Sequence, residues 1–329
     1  MTINVLYTIN GKYKNLMLAS CISMLINNSD KTFNIHIIVS DFTKFDYDFC
    51  ENVLKDYKNV TWKFYQLEIF DIRKYGIPDW RESQIANARL FFQEYIDLSG
   101  IDKLLYLDVD TIVAGDLTTL INYNGILNAS LDISLKRRLE KKGLSQYFNS
   151  GVLLFDIQKW VSEDLEKQIA DFCFLHDISR FRLPDQDILN YGLTEYINKL
   201  PFRYNINPYA FLGKTTKFYF KEGKRVMTYK DITSDIENPV IYHLYGFSKV
   251  KPWTVNKTNP LNNVFDEYIK LVDKSFKKEE LKGLWKLLAE YEILMYAALI
   301  IPDYLPEELV YKIKEQLNLL KKAPKSNWL

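Results

Sequence analysis

Two aspartates, Asp108 and Asp110, stand directly after the apolar run at residues 104–107. If the extended geometry continues past this run, the two carboxylates face the same way, because residues two apart project from the same side of an extended chain. Carboxylate oxygens are the ligands that Mn²⁺ and Mg²⁺ prefer, and a cation would offset the cost of placing two like charges at the end of a buried strand. The alternative interpretation is a helix N-cap or a solvated loop, because short acidic motifs are common by chance.

A second polar cluster, Asp185, Gln186 and Asp187, lies in the segment LPDQDILN at residues 183–190. The three side chains precede a predicted helix. Acidic residues in the first turn of a helix complement its dipole, so an N-terminal cap is the simplest interpretation of this cluster taken alone.

A third cluster is the segment HLYGFSKVKPW at residues 243–253, which follows a short predicted strand. A His at a strand end can bind a metal, a Gly lets the backbone approach a phosphate, and a Lys can neutralise that phosphate. The chain has three His. His36, in an apolar strand, and His176, in a helical segment, are predicted to be structural.

The elements that must position these clusters alternate along the chain. Apolar strands are predicted at residues 3–9, 33–39, 60–67 and 103–107, and helices at 16–26, 42–58 and 85–96. Strands without polar alternation are covered on both faces, as in a parallel sheet between helices. The order predicts an α/β fold with a doubly wound sheet, whose ligands bind beyond the carboxyl ends of the strands. Strands at 150–156 and 240–242 and a helix at 157–175 are also predicted.

The composition narrows the class of protein. The chain has 329 residues, 47% hydrophobic and 26% charged, as in a globular enzyme of one large or two ordinary domains. Forty-three Lys and Arg against 42 Asp and Glu leave a net charge of +1, which argues against nucleic-acid binding. Cys21, Cys50 and Cys173 lack the spacing of a metal or redox site, so a reduced, cytoplasmic protein is expected.

Nothing in the sequence predicts a membrane span. The N-terminal residues lack the pattern of a signal peptide. The most apolar stretch, residues 293–301, is about half as long as a spanning helix.

Residues 256–329 show no strand pattern and are predicted to form a helical extension beyond a domain boundary near residue 255. Their twelve Lys and eleven Asp and Glu do not make the polybasic face of a firm membrane anchor. The apolar part of the extension is predicted to pack on the preceding domain. The alternative is contact with a second copy, a partner protein or a lipid-linked acceptor at the inner face of the membrane.

Seven short blocks occur in order along the chain. They are YTINGKY at 7–13, ARL at 88–90, YLDVD at 106–110, ASLD at 129–132, FNSGVLL at 148–154, PDQDILN at 184–190 and HLYGFSKVKPW at 243–253. In these blocks and their order the chain resembles the family 8 glycosyltransferases, bacterial retaining enzymes that use UDP-sugars. The resemblance covers about residues 1–255.

The resemblance implies a GT-A type fold, with a Rossmann-like, mostly parallel sheet between helices and residues 1–255 as the nucleotide-sugar-binding catalytic domain. It implies transfer of galactose or glucose from a UDP-hexose to a carbohydrate acceptor: a cell-surface polysaccharide, a lipooligosaccharide or a protein-linked glycan. Asp108, Asp110 and His243 are implied to hold Mn²⁺ or Mg²⁺, and Gln186 with its neighbour Asp185 to act in catalysis. The positions implied to contact the donor are Thr8, Asn10, Tyr13, Arg89, Asp108, Val109, Asp110, Asp132, Asn149, Gly246 and Lys249.

The chain departs from the family pattern in two places. Asn10 and Gly11 stand where the family has aspartates, so an amide would meet the uracil instead of a carboxylate. Two extra residues precede Pro252, so either Lys249 or Lys251 could be the lysine that meets the phosphate. Counting from His243 favours Lys249.

Two other functions compete with this prediction. A catalytically inactive paralogue, which would bind nucleotide-sugars as a partner subunit, would be expected to have lost the matched metal and catalytic residues, which this chain keeps. A nucleotidyltransferase also pairs carboxylates on an α/β sheet, but it needs a Gly-rich loop after the first strand, and residues 10–12 hold a single Gly.

Overall fold

The computed structural model describes residues 1–68, 72–79, 84–134, 136–247 and 249–301, with residues 305 and 309. The strands among them are β1 (Thr2–Asn10), β2 (Thr32–Ser40), β3 (Val60–Gln66), β4 (Lys103–Leu107), β5 (Thr111–Val113), β6 (Leu127–Leu131), β7 (Phe148–Asp156), β8 (Ile197–Leu200) and β9 (Ile241–His243). The large sheet has the order β3-β2-β1-β4-β7-β6-β8, and β5 pairs with β9 in a separate ribbon.

The large sheet is mostly parallel, as predicted. β1 lies parallel to β2 and β4, β2 to β3, and β6 to β8. The exception is β7, which runs antiparallel to both β4 and β6. The carboxyl end of β4 and the amino end of β7 therefore meet at one edge, where Leu107 pairs with Val152. This reversal brings residues 149–151 to the edge at which ligands were predicted to bind.

The helices of the described residues are α1 (Lys14–Asn27), α2 (Lys44–Leu54), α3 (Thr118–Ile121), α4 (Lys136–Lys141), α5 (Ile157–Ser162), α6 (Leu165–Leu175), α7 (Pro184–Gly192), α8 (Thr216–Tyr219), α9 (Tyr229–Glu237), α10 (Asn262–Val272), α11 (Leu284–Glu290) and α12 (Glu292–Ile300). The predicted strands and the first two predicted helices are confirmed to within a few residues.

Two predicted helices need correction. Residues 85–96 form two 3₁₀ turns, Ile85–Leu90 and Phe92–Glu94, separated at Phe91, whose ψ of 39° is not helical. Residues 157–175 form two helices, α5 and α6, because Asp164 between them has a left-handed backbone with φ 51°. A residue in that conformation ends one helix before the next begins.

Apolar side chains fill both faces of the large sheet. Successive residues of β4 alternate between two core layers: Leu104 and Tyr106 enter one, and Leu105 and Leu107 enter the other. The residues of β7 are all buried. This two-sided burial confirms that the central strands β4 and β7 are covered on both faces, whereas the edge strand β3 has exposed residues at Thr61, Lys63 and Gln66. The strand ends form the edge where polar groups can gather.

The described part of the predicted extension packs on the same two core layers. Phe265 and Ile269 of α10 are buried beside α1, and Tyr268 accepts a hydrogen bond of 2.8 Å from Asn27 Nδ2. Leu288 and Met295 are buried in the other layer. Most of residues 302–329, part of the predicted helical segment, lie outside the described residues, and the domain boundary near residue 255 stays a prediction. Among the described helices, none is long and apolar enough to cross a membrane.

Candidate active site

A turn and a two-stranded ribbon bring Asp108, Asp110 and His243 together. β4 ends at Leu107, and the Thr111 N–H donates to the Asp108 carbonyl at 3.1 Å, closing a turn. The chain therefore turns after β4 and does not stay extended through both aspartates, and this turn makes their carboxylates converge. Thr111 begins β5 and pairs with His243 of β9, which sets the imidazole beside the two carboxylates.

The three side chains form a compact group of ligand atoms. His243 Nε2 lies 3.4 Å from Asp108 Oδ2 and 3.2 Å from Asp110 Oδ1. All three ligand atoms lie within 4.8 Å of one another. A Cβ atom on Gly151 would collide with the His243 ring and would lie 2.7 Å from Asp108 Oδ2, so this close approach requires glycine at residue 151.

Arg89 balances the charge of this group from behind. Its Nη2 lies 3.0 Å from Asp108 Oδ1, which also accepts a bond of 2.7 Å from the Tyr106 hydroxyl, so Oδ2 is the oxygen that faces His243. Burial alone would raise the pKa of Asp108, but Arg89 and then His243 outweigh it and hold that pKa well below its ordinary value. Asp108 is therefore a carboxylate at any physiological pH.

His243 has the opposite shift. Burial alone would lower the pKa of its imidazole, but the carboxylates of Asp110 and Asp108 outweigh burial and raise that pKa above its usual range. The two carboxylates thus favour a positive charge next to His243 Nε2, the ring nitrogen that faces them. Two carboxylate oxygens and one imidazole nitrogen converging there are a donor set that fits a divalent cation such as Mn²⁺ or Mg²⁺.

The cluster at the start of α7 divides into a cap and a site. Asp187 accepts from the N–H groups of Arg182 (3.1 Å) and Leu183 (3.2 Å), so the cap interpretation holds for that residue. Gln186 faces β7 instead: its Oε1 accepts from Ser150 N at 3.1 Å and its Nε2 donates to Asp132 Oδ2 at 3.0 Å.

Asp185 joins the two clusters through Arg89. Its Oδ2 accepts a bond of 2.8 Å from the Ser150 hydroxyl and lies 3.4 Å from Arg89 Nε. Burial raises the pKa of both Asp185 and Asp132 above the ordinary value. One buried guanidinium thus lies between the metal-type cluster and the Asp185–Gln186 pair, and the two predicted clusters form a single site.

The sequence profile of glycosyl transferase family 8 matches residues 4–257. The chain belongs to this family. It is 27% identical to the lipopolysaccharide 1,2-glucosyltransferase of Escherichia coli, over 86% of each chain. It is 26% identical to the lipopolysaccharide 1,3-galactosyltransferase of Salmonella typhimurium, over 60% of this chain and 61% of that one. The crystal structure of the galactosyltransferase LgtC with donor and acceptor sugar analogs is similar to it, with a TM-score of 0.64 and 26% identity over 81% of this chain and 95% of that one.

The opening segment of this family 8 chain has an unpaired acceptor. Asn10 Oδ1 is buried and has no hydrogen-bond partner among the described residues. Tyr13 lines an open cleft of about 150 Å³ together with Trp253. The Thr8 hydroxyl, in contrast, bonds the Tyr106 hydroxyl at 3.1 Å, which places it behind Asp108.

Gly11, the second departure from the family pattern in this segment, stands beside Asp46. A Cβ atom at this position would lie 3.0 Å from the Asp41 carbonyl oxygen and 3.4 Å from Asp46 Oδ2. Asp46 is buried and pairs with Lys14 at 2.8 Å. Gly11 therefore lies next to a carboxylate, that of Asp46, which is already paired with Lys14.

The segment after His243 holds a glycine and two lysines. Gly246 has φ +87°, and a Cβ atom there would collide with the Tyr209 ring, so both its conformation and its surroundings require glycine. Val250 is fully buried between the lysines. Lys249 is exposed with its ammonium 6.0 Å from the Trp285 ring centre, whereas the Lys251 ammonium lies 5.7 Å from Trp253. Which lysine meets a phosphate stays a prediction.

The remaining predicted residues take supporting positions. Val109 is half-buried in the turn between the two aspartates, and Asn149 Nδ2 donates to Gln186 Oε1 at 3.2 Å. His36 hydrogen-bonds the Tyr65 hydroxyl, and His176 hydrogen-bonds the Phe172 carbonyl. Among the described residues, neither His belongs to the metal-type group.

Three further residues belong to the site but were not predicted as site residues. Tyr106 and Ser150 hold the carboxylates of Asp108 and Asp185. Asn205 lies 2.9 Å from His243 Nδ1. Tyr106 had a usable signal, because it lies two residues before Asp108 at the end of a strand. Asn205 had none, because residues 200–240 have no clear period.

Proposed function

We propose that this family 8 protein is a retaining, divalent-metal-dependent hexosyltransferase that moves galactose or glucose from a UDP-sugar to a carbohydrate acceptor. The observation that carries the proposal is the convergence of Asp108, Asp110 and His243, joined through Arg89 to Asp185 and Gln186. A cation-binding group beside buried polar side chains suits a substrate with a pyrophosphate at one end and a sugar at the other.

Asn10, Tyr13 and one lysine would bind the nucleotide. Asn10 is assigned to the uracil because a side-chain amide can hydrogen-bond the base, and Tyr13 offers a ring for stacking. Asp108, Asp110 and His243 would hold Mn²⁺ or Mg²⁺, which when bound supplies positive charge to the two phosphates of UDP. Lys249 is assigned to the leaving phosphate. Val109 and Gly246 are assigned to contact the donor through their backbone.

The sugar would be bound by the polar groups around Gln186. Arg89, Asp132, Asn149 and Asp185 surround the position beside the carboxylates with fixed donors and acceptors. Such groups discriminate strongly between sugars that place a hydroxyl differently, since a wrong epimer leaves them unpaired. Donor choice between glucose and galactose is therefore assigned to this cluster.

The way Gln186 is held argues against a covalent intermediate on this residue. Its carbonyl oxygen already accepts from Ser150 N at 3.1 Å and from Asn149 Nδ2 at 3.2 Å, which uses both lone pairs. An amide oxygen so engaged is a poor nucleophile. Because the family resemblance implies retention, we assign attack by the acceptor hydroxyl on the face from which UDP departs. Its proton passes to the leaving phosphate oxygen, and the carbonyl dipole of Gln186 stabilises the positive charge on the sugar. The product keeps the α-configuration, and a β-anomeric proton NMR signal in the first-formed product would contradict this.

Two of the proteins named above are lipopolysaccharide transferases, which supports a cell-surface glycan as the acceptor. A cell-surface polysaccharide, a lipooligosaccharide and a protein-linked glycan all carry hydroxyl groups that can accept a sugar. We assign the protein to the cytoplasm, where UDP-sugars are made. The exposed side chains of Tyr291, Ile293 and Leu294 support contact of the extension with a membrane-bound acceptor or a partner protein.

A UDP-release assay over a panel of UDP-sugars with Mn²⁺ tests the proposal and names the donor. We expect slow release from UDP-glucose or UDP-galactose without acceptor. An inactive paralogue would bind UDP in the same buffer but release nothing from any donor, even with acceptor glycans added. That result would replace the enzyme by the partner-subunit alternative.

A further inference from the structure

We propose that Asn205 is a positioning residue that fixes the ring of His243 so that Nε2 offers its lone pair to the metal. The inference rests on the proposed function, because it assumes that His243 binds a metal. It concerns a chain of hydrogen bonds, here called the amide relay, that runs from Gly151 N through Asn149 and Asn205 to His243 Nδ1. None of its three side chains is exposed.

A backbone N–H sets the direction of the amide relay. Gly151 N can only donate, and it lies 2.9 Å from the side-chain oxygen of Asn149, so Asn149 Oδ1 is an acceptor. The Asn205 atom 2.8 Å from that oxygen must therefore be the NH₂ group. The other end of the Asn205 amide is then Oδ1, which lies 2.9 Å from His243 Nδ1.

The consequence for His243 follows from its two ring nitrogens. Because Asn205 Oδ1 accepts, His243 Nδ1 must carry a hydrogen, and in the neutral ring Nε2 is left without one. Nε2 is the atom that faces Asp108 Oδ2 and Asp110 Oδ1. Asn205 thus selects the tautomer that can bind a metal and holds the ring plane, while the pairing of β5 with β9 holds only the backbone.

The other end of the amide relay reaches Gln186. With Oδ1 fixed by Gly151, Asn149 Nδ2 points to Gln186 Oε1 at 3.2 Å and to Asp132 Oδ2 at 3.3 Å. The same hydrogen-bonded chain therefore orients the metal ligand and the residue assigned to the sugar. A substitution of Asn205 can therefore remove its hydrogen bond to Asn149 alone, or its hydrogen bonds to both Asn149 and His243.

Two substitutions separate the ends. Asn205→Leu removes both hydrogen bonds at similar volume. Asn205→Asp keeps an acceptor for His243 Nδ1 but places a second oxygen against Asn149 Oδ1. Asn128→Leu is the matched control: Asn128 is a buried amide that bonds the carbonyls of Gly125 and Leu154 and touches none of these residues.

The readout is the affinity for Mn²⁺, measured by electron paramagnetic resonance of the free ion, with UDP-release turnover measured alongside. We expect Asn205→Leu to weaken Mn²⁺ binding about ten- to a hundredfold, the range found for lost partners of metal-binding His. Asn205→Asp should bind Mn²⁺ at wild-type strength or tighter while turnover falls. Asn128→Leu should lower the melting temperature and leave Mn²⁺ affinity unchanged.

The outcomes distinguish the inference from the proposed function. If wild type binds Mn²⁺ and a folded Asn205→Leu binds it equally well, the role of Asn205 is wrong and the metal site stands. If wild type binds no divalent cation, both fall. If Asn205→Leu does not fold, ¹⁵N NMR of the wild-type imidazoles with Mg²⁺ and UDP decides, since the chain has only three His. A proton on His243 Nδ1 supports the inference, and a proton on Nε2 overturns it.

Discussion

Lys249 and Lys251 are two lysines that could serve one phosphate. Lys249→Ala is expected to weaken UDP binding in Mn²⁺ about ten- to a hundredfold, because a charged hydrogen bond is worth roughly 1.5–3 kcal/mol. Lys251→Ala should change the binding free energy by about 0.5 kcal/mol or less. Calorimetric titration of UDP into both variants provides the measurement.

The structure sharpens this comparison, because the buried Val250 separates the two lysines and their ammonium groups lie near different indole rings, Trp285 for Lys249 and Trp253 for Lys251. Loss of UDP affinity in Lys251→Ala alone would show that adjacency to Pro252 is the better guide than the spacing from His243.

At the residue scale, the sequence predicted the groups that carry charge and missed the groups that hold them. Asp108, Asp110 and His243 were identified by their types and spacing and by family resemblance, and the structure brings them together. Asn205 and Ser150 are neutral and short, and they act through hydrogen bonds to residues at least 35 positions away in the chain. No local pattern reports such contacts, because they depend on which strands become neighbours.

At the scale of elements, β7 contributes residues to the site although it runs opposite to the parallel strands of the sheet. It is antiparallel, so its amino end, and not its carboxyl end, lies beside Asp108. Asp108 N donates to the Gly151 carbonyl at 2.7 Å, and the missing side chain of Gly151 leaves the space that His243 and Asp108 Oδ2 occupy.

Gly151→Ala is therefore expected to leave the sheet in place but to push the His243 ring away from the carboxylates. Mn²⁺ affinity should fall by about tenfold or more, as for other changes that misorient a metal ligand. Gly192→Ala is the matched control, because the atoms nearest to its added methyl group would be those of the Phe172 ring, at 3.2 Å. Equal Mn²⁺ binding by the two variants would show that the Gly151 contact does not shape the site.

The strands were easier to predict than the helices for a physical reason. The central strand β4 is an apolar run after Lys103, and it begins and ends where the sequence predicts. Residues 85–96 and 157–175 have apolar residues at helical spacing, but their backbone is decided by tertiary contacts. Arg89 bonds the carbonyls of Ala86 and Ser150, which holds the 3₁₀ turn over the site.

At the scale of the whole molecule, Glu166 links stability to pH. It lies in the first turn of α6, accepts from Gln93 N at 2.9 Å, and has its pKa raised to about 8, by burial first and by nearby Glu94 as well. Between the ordinary carboxyl pKa of about 4.5 and the raised pKa of about 8, Glu166 stays protonated in the folded protein but loses its proton in the unfolded chain. This contribution to stability is complete below about pH 4.5 and is lost as the pH rises towards 8.

Glu166→Gln keeps an acceptor for Gln93 N and removes the ionisation. The melting temperature of wild type should fall between pH 5 and about 8 more steeply than that of Glu166→Gln. Thermal unfolding followed by circular dichroism across this range gives the comparison, with the exposed Glu163→Gln as control. Parallel curves for wild type and Glu166→Gln would show that the carboxyl ionises freely in the folded state.

The strand ends bring Asp108, Asp110 and His243 together, and we propose that these residues hold the divalent cation required for use of a UDP-sugar. The most direct measurement is the rate of UDP release from the preferred donor, in Mn²⁺ and in EDTA, for wild type, Asp110→Ala and His243→Ala, with folding checked by circular dichroism. We expect release in Mn²⁺ by wild type, and a loss of roughly a hundredfold or more in EDTA and in each variant, since a bound metal supplies several kcal/mol of charge stabilisation. Release that is undiminished in EDTA, or Asp110→Ala at the wild-type rate, would contradict the account.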